Sequence, residues 1–240
     1  MLKVRLMLPA YNEEHSLPAL LNRVKELQQS NAIDLEVLLV NDGSTDDTLR
    51  IAKENQLKVI DLQPNQGLAA AMRNGITSSI KDLTEDFILI TMDADDSHHP
   101  NLIPEMVRKI EKGADIVIAS RYQKGSKVIG LSKFRVFLTQ GAGVLYKLFS
   151  PVKGVKDYTC GYRAYRLSLL TEMSRFYGDA MIEQNGFACM GEILLKSRRF
   201  NPKIEEVAMV LRYDRKKSDS KMNVFHSIRQ TLQLIFSTKQ

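Results

Sequence analysis

Strand-like and helix-like segments alternate through the first half of the chain. Strand-like segments occupy residues 4–8, 35–40, 57–62, 87–92 and 115–119, and stretches with apolar residues at helical spacing separate them. Residues 87–92 are almost wholly apolar, which is typical of a parallel strand buried on both faces. Because such alternation requires right-handed crossover connections, the pattern predicts an α/β fold: a mostly parallel sheet flanked by helices.

Polar clusters follow three of these predicted strands. They comprise residues 9–13, 41–44 and 93–96. In open parallel sheets, ligands bind beyond the carboxyl ends of the strands, so the fold would bring the clusters to one edge. Each cluster alone could be an ordinary turn, with Ser44 or Thr45 capping a helix that begins near residue 46. Together they favour a ligand-binding site.

The third cluster places Asp93 and Asp95 on either side of the small Ala94. Carboxylates suit Mg²⁺ or Mn²⁺, which commonly bind through one or two carboxylates and substrate phosphates. Such a metal offsets charge on a departing nucleoside diphosphate. The alternative is an acidic turn that only caps the helix opened by Pro100. In the other clusters, Asp42 could accept a hydrogen bond from a base or ribose, and Tyr11 could stack on a base.

Charge is distributed unevenly along the chain. Residues 1–120 contain 12 Lys/Arg and 19 Asp/Glu, whereas residues 121–240 contain 22 and 9. A basic half could face nucleic acid, an acidic membrane surface or a phosphorylated substrate. Nucleic acid is disfavoured because no zinc-finger spacing or RNP-like motif occurs. No stretch approaches the ~18–20 apolar residues of a membrane span, and the two cysteines lack metal-like spacing. A cytoplasmic protein is therefore expected.

Five short segments carry a family resemblance. In chain order they read LPAYNEE, VNDGSTDDT, NQGLAAAMRNGI, MDADDSHHP and ASRY. They resemble inverting family-2 glycosyltransferases of the GT-A fold, with its Rossmann-like nucleotide-binding sheet. Dolichyl-phosphate mannose synthases and bacterial polyprenyl-phosphate glycosyltransferases are the most similar members. The resemblance implies a single catalytic domain, residues 1–240, in which residues 1–121 bind the nucleotide sugar and residues 122–240 form an intimately joined acceptor-side half.

The resemblance also implies roles for particular residues on the donor side. Asp93 and Asp95 would hold Mg²⁺ or Mn²⁺ and the diphosphate, with Ala94 against the nucleotide. Ser97 stands where many of the synthases have a Gln, and would be a weaker third metal ligand. The nucleoside pocket would be lined by Pro9, Tyr11, Glu13, Val40 and Asp42. Arg121 would meet phosphate, and Arg215 and Lys221 would bound a loop that closes over the donor.

The acceptor implied by the resemblance is a polyprenyl phosphate. A phosphate monoester is largely dianionic at neutral pH, so it needs cations rather than a protein base. The candidate cations are Arg121, Arg135 and Arg163, and the residues expected to be catalytic are Asp95, Arg121 and Arg135. Arg135 lies in a possible interfacial helix, residues 131–149, within a stretch that contains eight Lys/Arg and no acid. That helix could rest on anionic lipid, or it could simply pack on the core.

We therefore expect a metal-dependent hexosyltransferase that uses GDP-mannose or a UDP-hexose. It would be peripheral on the cytoplasmic face of the membrane, with a separate membrane subunit as a possible partner. One alternative is transfer to a sugar hydroxyl in surface-polysaccharide or glycoprotein assembly, with Asp157 or Glu183 as the base. Another is a catalytically idle nucleotide-sugar-binding protein. The last predicted helix, Met222–Phe236, could pack on the core, a second copy or lipid, so the oligomeric state stays open.

Overall fold

The computed structural model describes residues 3–30, 33–83, 87–131, 141, 143–217, 230 and 233–234. The predicted site residues Arg135 and Lys221 lie outside these ranges. So do most of the predicted final helix and the first part of the predicted interfacial helix. No helix within the described ranges combines the length and the apolar character needed to cross a membrane.

The strands and helices follow one another as the sequence pattern predicts through the first half. The strands are β1 (Lys3–Ala10), β2 (Asp34–Asp42), β3 (Lys58–Leu62), β4 (Ile88–Thr91), β5 (Ile116–Ser120), β6 (Lys127–Ile129), β7 (Arg163–Arg166), β8 (Ile204–Ala208) and β9 (Val210–Arg212). The helices are α1 (Leu17–Gln29), α2 (Thr48–Glu54), α3 (Leu68–Asp82), α4 (Ile103–Glu111), α5 (residues 143–149), α6 (Leu167–Tyr177) and α7 (Ala188–Ser197).

Seven of these strands form one mixed sheet in the order β3-β2-β1-β4-β7-β5-β8. In the described sheet, β7 runs antiparallel between β4 and β5, and the other neighbouring pairs are parallel. The predicted α/β fold with a mostly parallel sheet is thus confirmed. The antiparallel β7 is not foreseen by the sequence pattern. Near the end of the described chain, β8 belongs to the large sheet, whereas β9, which follows it, pairs with β6.

Helices bury apolar stripes on the sheet. Helix α1 buries Leu17, Leu20, Leu21 and Val24, spaced as one helical face requires. Helix α3 approaches the sheet more closely, because a Cβ added at Gly75 would lie 2.1 Å from the Met7 sulfur and 3.0 Å from a Val40 methyl carbon. A larger residue at this position would force the Met7 side chain to move.

The strand order creates a crevice at the carboxyl edge of the sheet. From β1 the chain builds β2 and β3 on one side and then crosses to β4 on the other side. Ligands of open α/β sheets bind at such a reversal, where the loops leaving the two central strands diverge. The predicted polar clusters after β1, β2 and β4 all lie at this edge.

A glycine shapes the turn after β2. Gly43 has φ +70°, and a Cβ there would lie 2.4 Å from the backbone nitrogen of Asn65. The loop that precedes α3 therefore passes directly over this glycine. Asp42 holds the loop in place: its carboxylate accepts hydrogen bonds at 2.8 Å from the backbone nitrogens of Gln66 and Gly67 and at 2.9 Å from the side chain of Asn65.

Replacing Gly43 with Ala should lower the free energy of unfolding by roughly 2 kcal/mol more than replacing Gly113 with Ala. Both sites have positive φ and share the backbone strain of about 1–3 kcal/mol. Only the methyl group added at Gly43 would meet backbone, since nothing lies within 4 Å of a Cβ at Gly113. Urea unfolding of the two variants measures the difference. Equal losses would contradict the close passage of the loop over Gly43.

Candidate functional site

The loop after β1 is held against the turn after β2 by hydrogen bonds in both directions. The backbone nitrogen of Asn12 donates to the Ser44 hydroxyl at 3.0 Å, and the backbone nitrogen of Thr45 donates to the Asn12 side-chain oxygen at 2.8 Å. The Glu13 backbone nitrogen donates to the Thr48 hydroxyl at 2.8 Å. Two of the predicted clusters thus form one wall. The expected cap is wrong, because α2 begins only at Thr48 and Ser44 serves the loop instead.

The predicted nucleoside-pocket residues lie at this wall with different degrees of access. Pro9 and Val40 are register partners at the ends of β1 and β2. Val40 is fully buried beneath α3, so its contact with a nucleoside stays a prediction. Glu13 is 7% exposed, and Tyr11 is half-buried. Asp42 is 4% exposed and already bonded to the loop before α3, so its contact with a base or ribose stays a prediction.

The chain turns sharply after β4. Asp96 has φ +60° and forms an ion pair with Arg23 of α1. Ser97 donates to one Asp95 carboxylate oxygen from its backbone nitrogen at 3.0 Å and from its hydroxyl at 2.6 Å. The backbone nitrogen of Arg212 donates to the Ser97 carbonyl at 2.9 Å, which ties β9 to the turn. Ser97 therefore orients Asp95, and its predicted role as a metal ligand remains a prediction.

A lysine from the second half of the chain occupies the other oxygen of Asp95. The Lys216 ammonium nitrogen lies 2.7 Å from Asp95 Oδ2, and the two side chains are only 13% and 8% exposed. Nothing in the sequence distinguishes Lys216 from its neighbour Lys217. The adjacent Arg215 influences the same turn, because burial first, and then the charges of Arg23 and Arg215, lower the pKa of His99. The contact of Arg215 with the donor stays a prediction.

The pKa values of the two carboxyls move in opposite directions. Burial raises the pKa of Asp93, and the Asp95 charge adds to the effect, against the opposing charges of His98, Lys216 and Arg121. Burial also acts to raise the pKa of Asp95, but Lys216 and then His98 outweigh it, and the net pKa is lowered. Asp95 is thus held ionised by its lysine. Asp93, whose side chain is 32% exposed, is the carboxyl whose charge the protein compensates least.

These groups suit a divalent cation, but they do not form a complete cage. Among the residues that the structure describes, no three His, Cys, Asp or Glu side chains are grouped so as to hold a metal ion. A cation at Asp93 and Asp95 would have to take further ligands from a substrate, as Mg²⁺ commonly does with phosphates. Ala94, between the two carboxylates, is 2% exposed and has its methyl group in the core.

The predicted phosphate-binding Arg121 forms a buried ion pair. Its guanidinium donates to the Asp157 carboxylate from Nε at 2.8 Å and from Nη2 at 2.6 Å, and to the Thr159 hydroxyl at 2.6 Å. Asp157 is fully buried. Burial acts to raise the pKa of Asp157, but the Arg121 charge and hydrogen bonds outweigh it and lower that pKa. Asp157 is therefore a structural partner of Arg121.

The prediction that Arg163 binds an acceptor phosphate is wrong for this structure. Its side chain is fully buried, and its guanidinium donates to the backbone carbonyls of Met190 at 2.6 Å and Tyr158 at 2.8 Å. Arg163 begins β7, so its position in the sheet directs the side chain under α7 rather than into the crevice.

Glu183, the other candidate base, has a side chain that is 61% exposed and pairs with Lys196 of α7 at 2.8 Å.

His98 is a site residue that the sequence analysis missed. It is 5% exposed, and its Nδ1 lies 3.9 Å from Asp93 Oδ2 without a hydrogen-bond partner in the described structure. The neighbouring His99 differs, because its Nδ1 accepts from the Asn101 backbone nitrogen at 3.2 Å. Two consecutive histidines beside an acidic pair were the available signal, but the sequence does not show which of them turns inward.

Residues 6–173 match the family model described as Glycosyl transferase family 2. The chain is 30% identical over 202 residues to a dolichol-phosphate mannosyltransferase of Pyrococcus furiosus, a match that covers 82% of this chain and 53% of that protein. It is 30% identical over 227 residues to an undecaprenyl-phosphate mannosyltransferase of Micrococcus luteus, covering 92% and 88%. A polyprenol monophosphomannose synthase of Mycolicibacterium smegmatis is 32% identical over 173 residues, covering 70% and 63%. The chain thus spans about half the length of the Pyrococcus protein.

Solved structures show the same fold. Glucosyl-3-phosphoglycerate synthase from Mycobacterium tuberculosis, crystallised with Mn²⁺, uridine diphosphate and glucosyl-3-phosphoglycerate, superposes with a TM-score of 0.72 at 20% identity, covering 99% of this chain and 80% of that one. Its complex with Mg²⁺ and uridine diphosphate gives a TM-score of 0.71 at 20% identity, covering 99% and 79%. At this identity the likeness establishes the fold.

Replacing Lys216 with Met should strengthen Mn²⁺ binding about tenfold, or ~1.4 kcal/mol. The ammonium group and a metal ion compete for the same Asp95 oxygen, so removing the ammonium leaves the carboxylate to the metal. Titration of Mn²⁺ followed by electron paramagnetic resonance measures the affinity. Lys217→Met, at an exposed neighbouring position, is the matched control and should bind as the wild type does. Unchanged affinity in Lys216→Met would refute the competition.

Replacing Asp157 with Asn should destabilise the fold by about 3–5 kcal/mol at pH 7, because it leaves Arg121 buried without its partner charge. The folded pKa of Asp157 is lowered below the ~3.9 of an unfolded chain. The ion pair therefore stabilises the fold above that pH and loses its contribution as the pH falls through the folded pKa. The free energy of unfolding of both proteins is measured between pH 7 and 3. The difference between wild type and Asp157→Asn should stay constant down to about pH 4 and become smaller below it. A gap independent of pH would contradict the ion pair.

Proposed function

This chain belongs to glycosyl transferase family 2, and we propose that it moves a hexose, with inversion, from a nucleotide sugar to a polyprenyl phosphate. The donor is GDP-mannose or a UDP-hexose. The observation that carries the proposal is the Asp93–Asp95 pair at the crevice between β1 and β4, with one carboxylate paired to Lys216 and the other weakly compensated. The names of the three sequence relatives support the lipid acceptor.

The carboxylate pair fits a divalent metal ion. Asp93 and Asp95 provide the hard oxygen atoms that Mg²⁺ and Mn²⁺ prefer. Burial first, and then the charge of Asp95, raise the pKa of Asp93, so a cation beside it would favour its ionised form. These two residues would hold the metal together with the donor diphosphate. A bound metal would neutralise part of the charge that develops on the leaving nucleoside diphosphate.

The chain's own residues prepare the donor site. Hydrogen bonds between the Asn12 segment and the turn after β2 fix the wall against which the nucleoside would lie. Pro9, Tyr11, Glu13 and Val40 are the proposed lining residues of this wall. Lys216 must leave Asp95 as the donor enters. Its ammonium would then be available to the diphosphate, where a positive charge would favour departure of the nucleotide.

Arginine is proposed to meet the acceptor phosphate. A guanidinium has five N–H donors, and the bonds of Arg121 to Asp157 and Thr159 use three of them. The remaining donors, together with those of Arg135, are the proposed phosphate ligands. No protein base is required, because the phosphate is already ionised at neutral pH. The two acids named for a hydroxyl acceptor, Asp157 and Glu183, are both engaged in ion pairs, which disfavours that alternative.

A lipid acceptor also requires contact with a membrane surface. Helix α5 exposes Val144 (53%), Leu148 (69%) and Phe149 (39%) to solvent. Val144 and Leu148 are four residues apart and so share a helix face. The helix lies in the acid-free stretch 121–156, which contains seven Lys/Arg besides the ion-paired Arg121, and such a basic stretch attracts anionic lipid. We infer peripheral binding at the cytoplasmic face, either alone or beside a separate membrane subunit.

The test is to incubate the purified chain with Mn²⁺ and labelled GDP-mannose or UDP-hexoses, with and without a short polyprenyl phosphate. Label should enter the organic phase only when the lipid is present, and one nucleotide should predominate. Asp95→Asn should lower transfer by at least about a thousandfold, since it removes a charge at the metal-diphosphate site. The exposed Asp179→Asn is the matched control and should transfer normally.

Labelling of a water-soluble product without lipid would refute the polyprenyl-phosphate acceptor but not the glycosyltransferase activity. Full activity of Asp95→Asn would refute the assignment of the carboxylate pair to the metal-diphosphate site. Circular dichroism of both variants keeps a loss of activity separate from a loss of fold.

A further inference from the structure

We propose that the imidazole of His98 is a direct ligand of the metal, and that it makes the site prefer Mn²⁺ or Co²⁺ to Mg²⁺. The inference rests on the proposed function for the presence of a metal-diphosphate site, and it adds a residue and a metal preference to that site. Two independent observations point to it: an acidic pair at the crevice, and a buried nitrogen without a hydrogen-bond partner that faces one of the acids.

The His98 ring nitrogen lacks the partner that a buried polar atom normally has. His98 is 5% exposed, and Nδ1 makes no hydrogen bond in the described structure. Such atoms are uncommon in native proteins, because desolvation without a hydrogen bond costs free energy, and an unfilled ion position is one of their recognised causes. The closest acidic atom is Asp93 Oδ2, at 3.9 Å, which is too far for a hydrogen bond.

The 3.9 Å separation is close to, but wider than, that of two adjacent ligands on one cation. Oxygen and nitrogen ligands lie about 2.1 Å from such metals, so two adjacent ligands of an octahedral ion are roughly 3.0 Å apart. His98 Nδ1 and Asp93 Oδ2 would therefore have to approach each other by roughly 0.9 Å when the metal binds. A cation between these two atoms would satisfy the unpartnered nitrogen and compensate Asp93 at once.

The ring is held in this orientation by the core. The turn at Asp96, with φ +60°, folds the chain back so that His98 returns beside Asp93. The ring centroid lies 5.4 Å from that of Tyr162, which is fully buried, and the Tyr162 hydroxyl donates to the His99 carbonyl at 3.2 Å. The imidazole is therefore positioned before any ligand arrives, as a metal-binding side chain should be.

The other side chain expected as third ligand is committed elsewhere. The Ser97 hydroxyl donates to Asp95 at 2.6 Å and so acts on the carboxylate. His98 is the next residue along the chain, with a longer side chain that reaches towards Asp93. Because the described residues contain no preformed group of three metal ligands, the proposal requires Asp93, Asp95 and His98 to move closer together when the metal and the donor phosphates bind.

A nitrogen ligand changes the metal preference. Mg²⁺ favours oxygen ligands, whereas the first-row transition-metal ions also accept imidazole, and along the Irving–Williams order Co²⁺ gains more from a nitrogen ligand than Mn²⁺ does. A site that holds only Asp93, Asp95 and phosphate would discriminate less between these ions. His98 should therefore contribute to Mn²⁺ and Co²⁺ affinity and add little to Mg²⁺ affinity.

Pulsed electron paramagnetic resonance tests the ligand directly. The full chain is loaded with Mn²⁺ and either GDP or UDP, and ¹⁴N coupling to the metal is recorded. The wild type should show imidazole nitrogen coupling that changes when the protein is labelled with ¹⁵N-histidine, a measurement that needs no substitution. His98→Asn should lose the coupling. His99→Asn, which keeps an acceptor for the Asn101 backbone, should retain it.

The affinities for Mn²⁺ and Mg²⁺ give a second readout. If His98 had only a structural role, its replacement would weaken the binding of both ions equally. His98→Asn should weaken Mn²⁺ binding about tenfold or more while Mg²⁺ binding changes less than about threefold. Equal loss for both ions, or Mn²⁺ bound by the wild type without nitrogen coupling, would overturn the inference and leave the proposed function standing. Failure of the wild type to bind Mn²⁺ with either nucleotide would overturn both. His98→Gln repeats the comparison if His98→Asn does not fold.

Discussion

The ion pair between Lys216 and Asp95 is the interaction on which the candidate site depends. It joins residues that are 121 positions apart, so it exists only once β9 has been tied to the turn after β4. The pair holds Asp95 ionised, whereas Asp93 has a raised pKa and a partly exposed carboxylate. One negative charge is thus neutralised by the protein and another is left for a ligand. In such a cleft, a metal ion bound to phosphates can replace the Lys216 ammonium at Asp95.

The fold follows from features that the sequence displays openly. Residues 87–92 are apolar because β4 is buried on both faces, and the polar clusters follow strands because the carboxyl edge is where the sheet meets a ligand. Strand β7 is not visible in the same way. Its sequence, Arg163–Arg166, begins and ends with arginine, and the guanidinium of Arg163 donates to the backbone carbonyls of Tyr158 and Met190 and to the Tyr165 hydroxyl. A charged residue is expected at the surface, but hydrogen bonds to distant parts of the chain allow Arg163 to be buried. The local sequence pattern does not reveal such bonds.

The same distinction applies to the site. Asp93 and Asp95 could be assigned from their spacing and their place after a buried strand, and the family could be assigned from the motifs. Lys216 and His98 could not, because each has a neighbour of the same type, Lys217 or His99, and only the folded backbone decides which one turns inward. The misassigned Arg163 shows the converse. An arginine near a predicted acceptor region is a reasonable phosphate ligand until the sheet places it beneath α7.

The central claim is that a metal-diphosphate binds Asp93 and Asp95 and displaces the Lys216 ammonium from Asp95. A crystal structure of the chain with Mn²⁺ and GDP or UDP, with the metal located by anomalous scattering, tests it most directly. We expect the anomalous peak at Asp93 and Asp95 beside the diphosphate, with the Lys216 nitrogen moved beyond hydrogen-bond distance of Asp95. A bound nucleotide with the Lys216–Asp95 pair intact and the metal elsewhere would contradict the account.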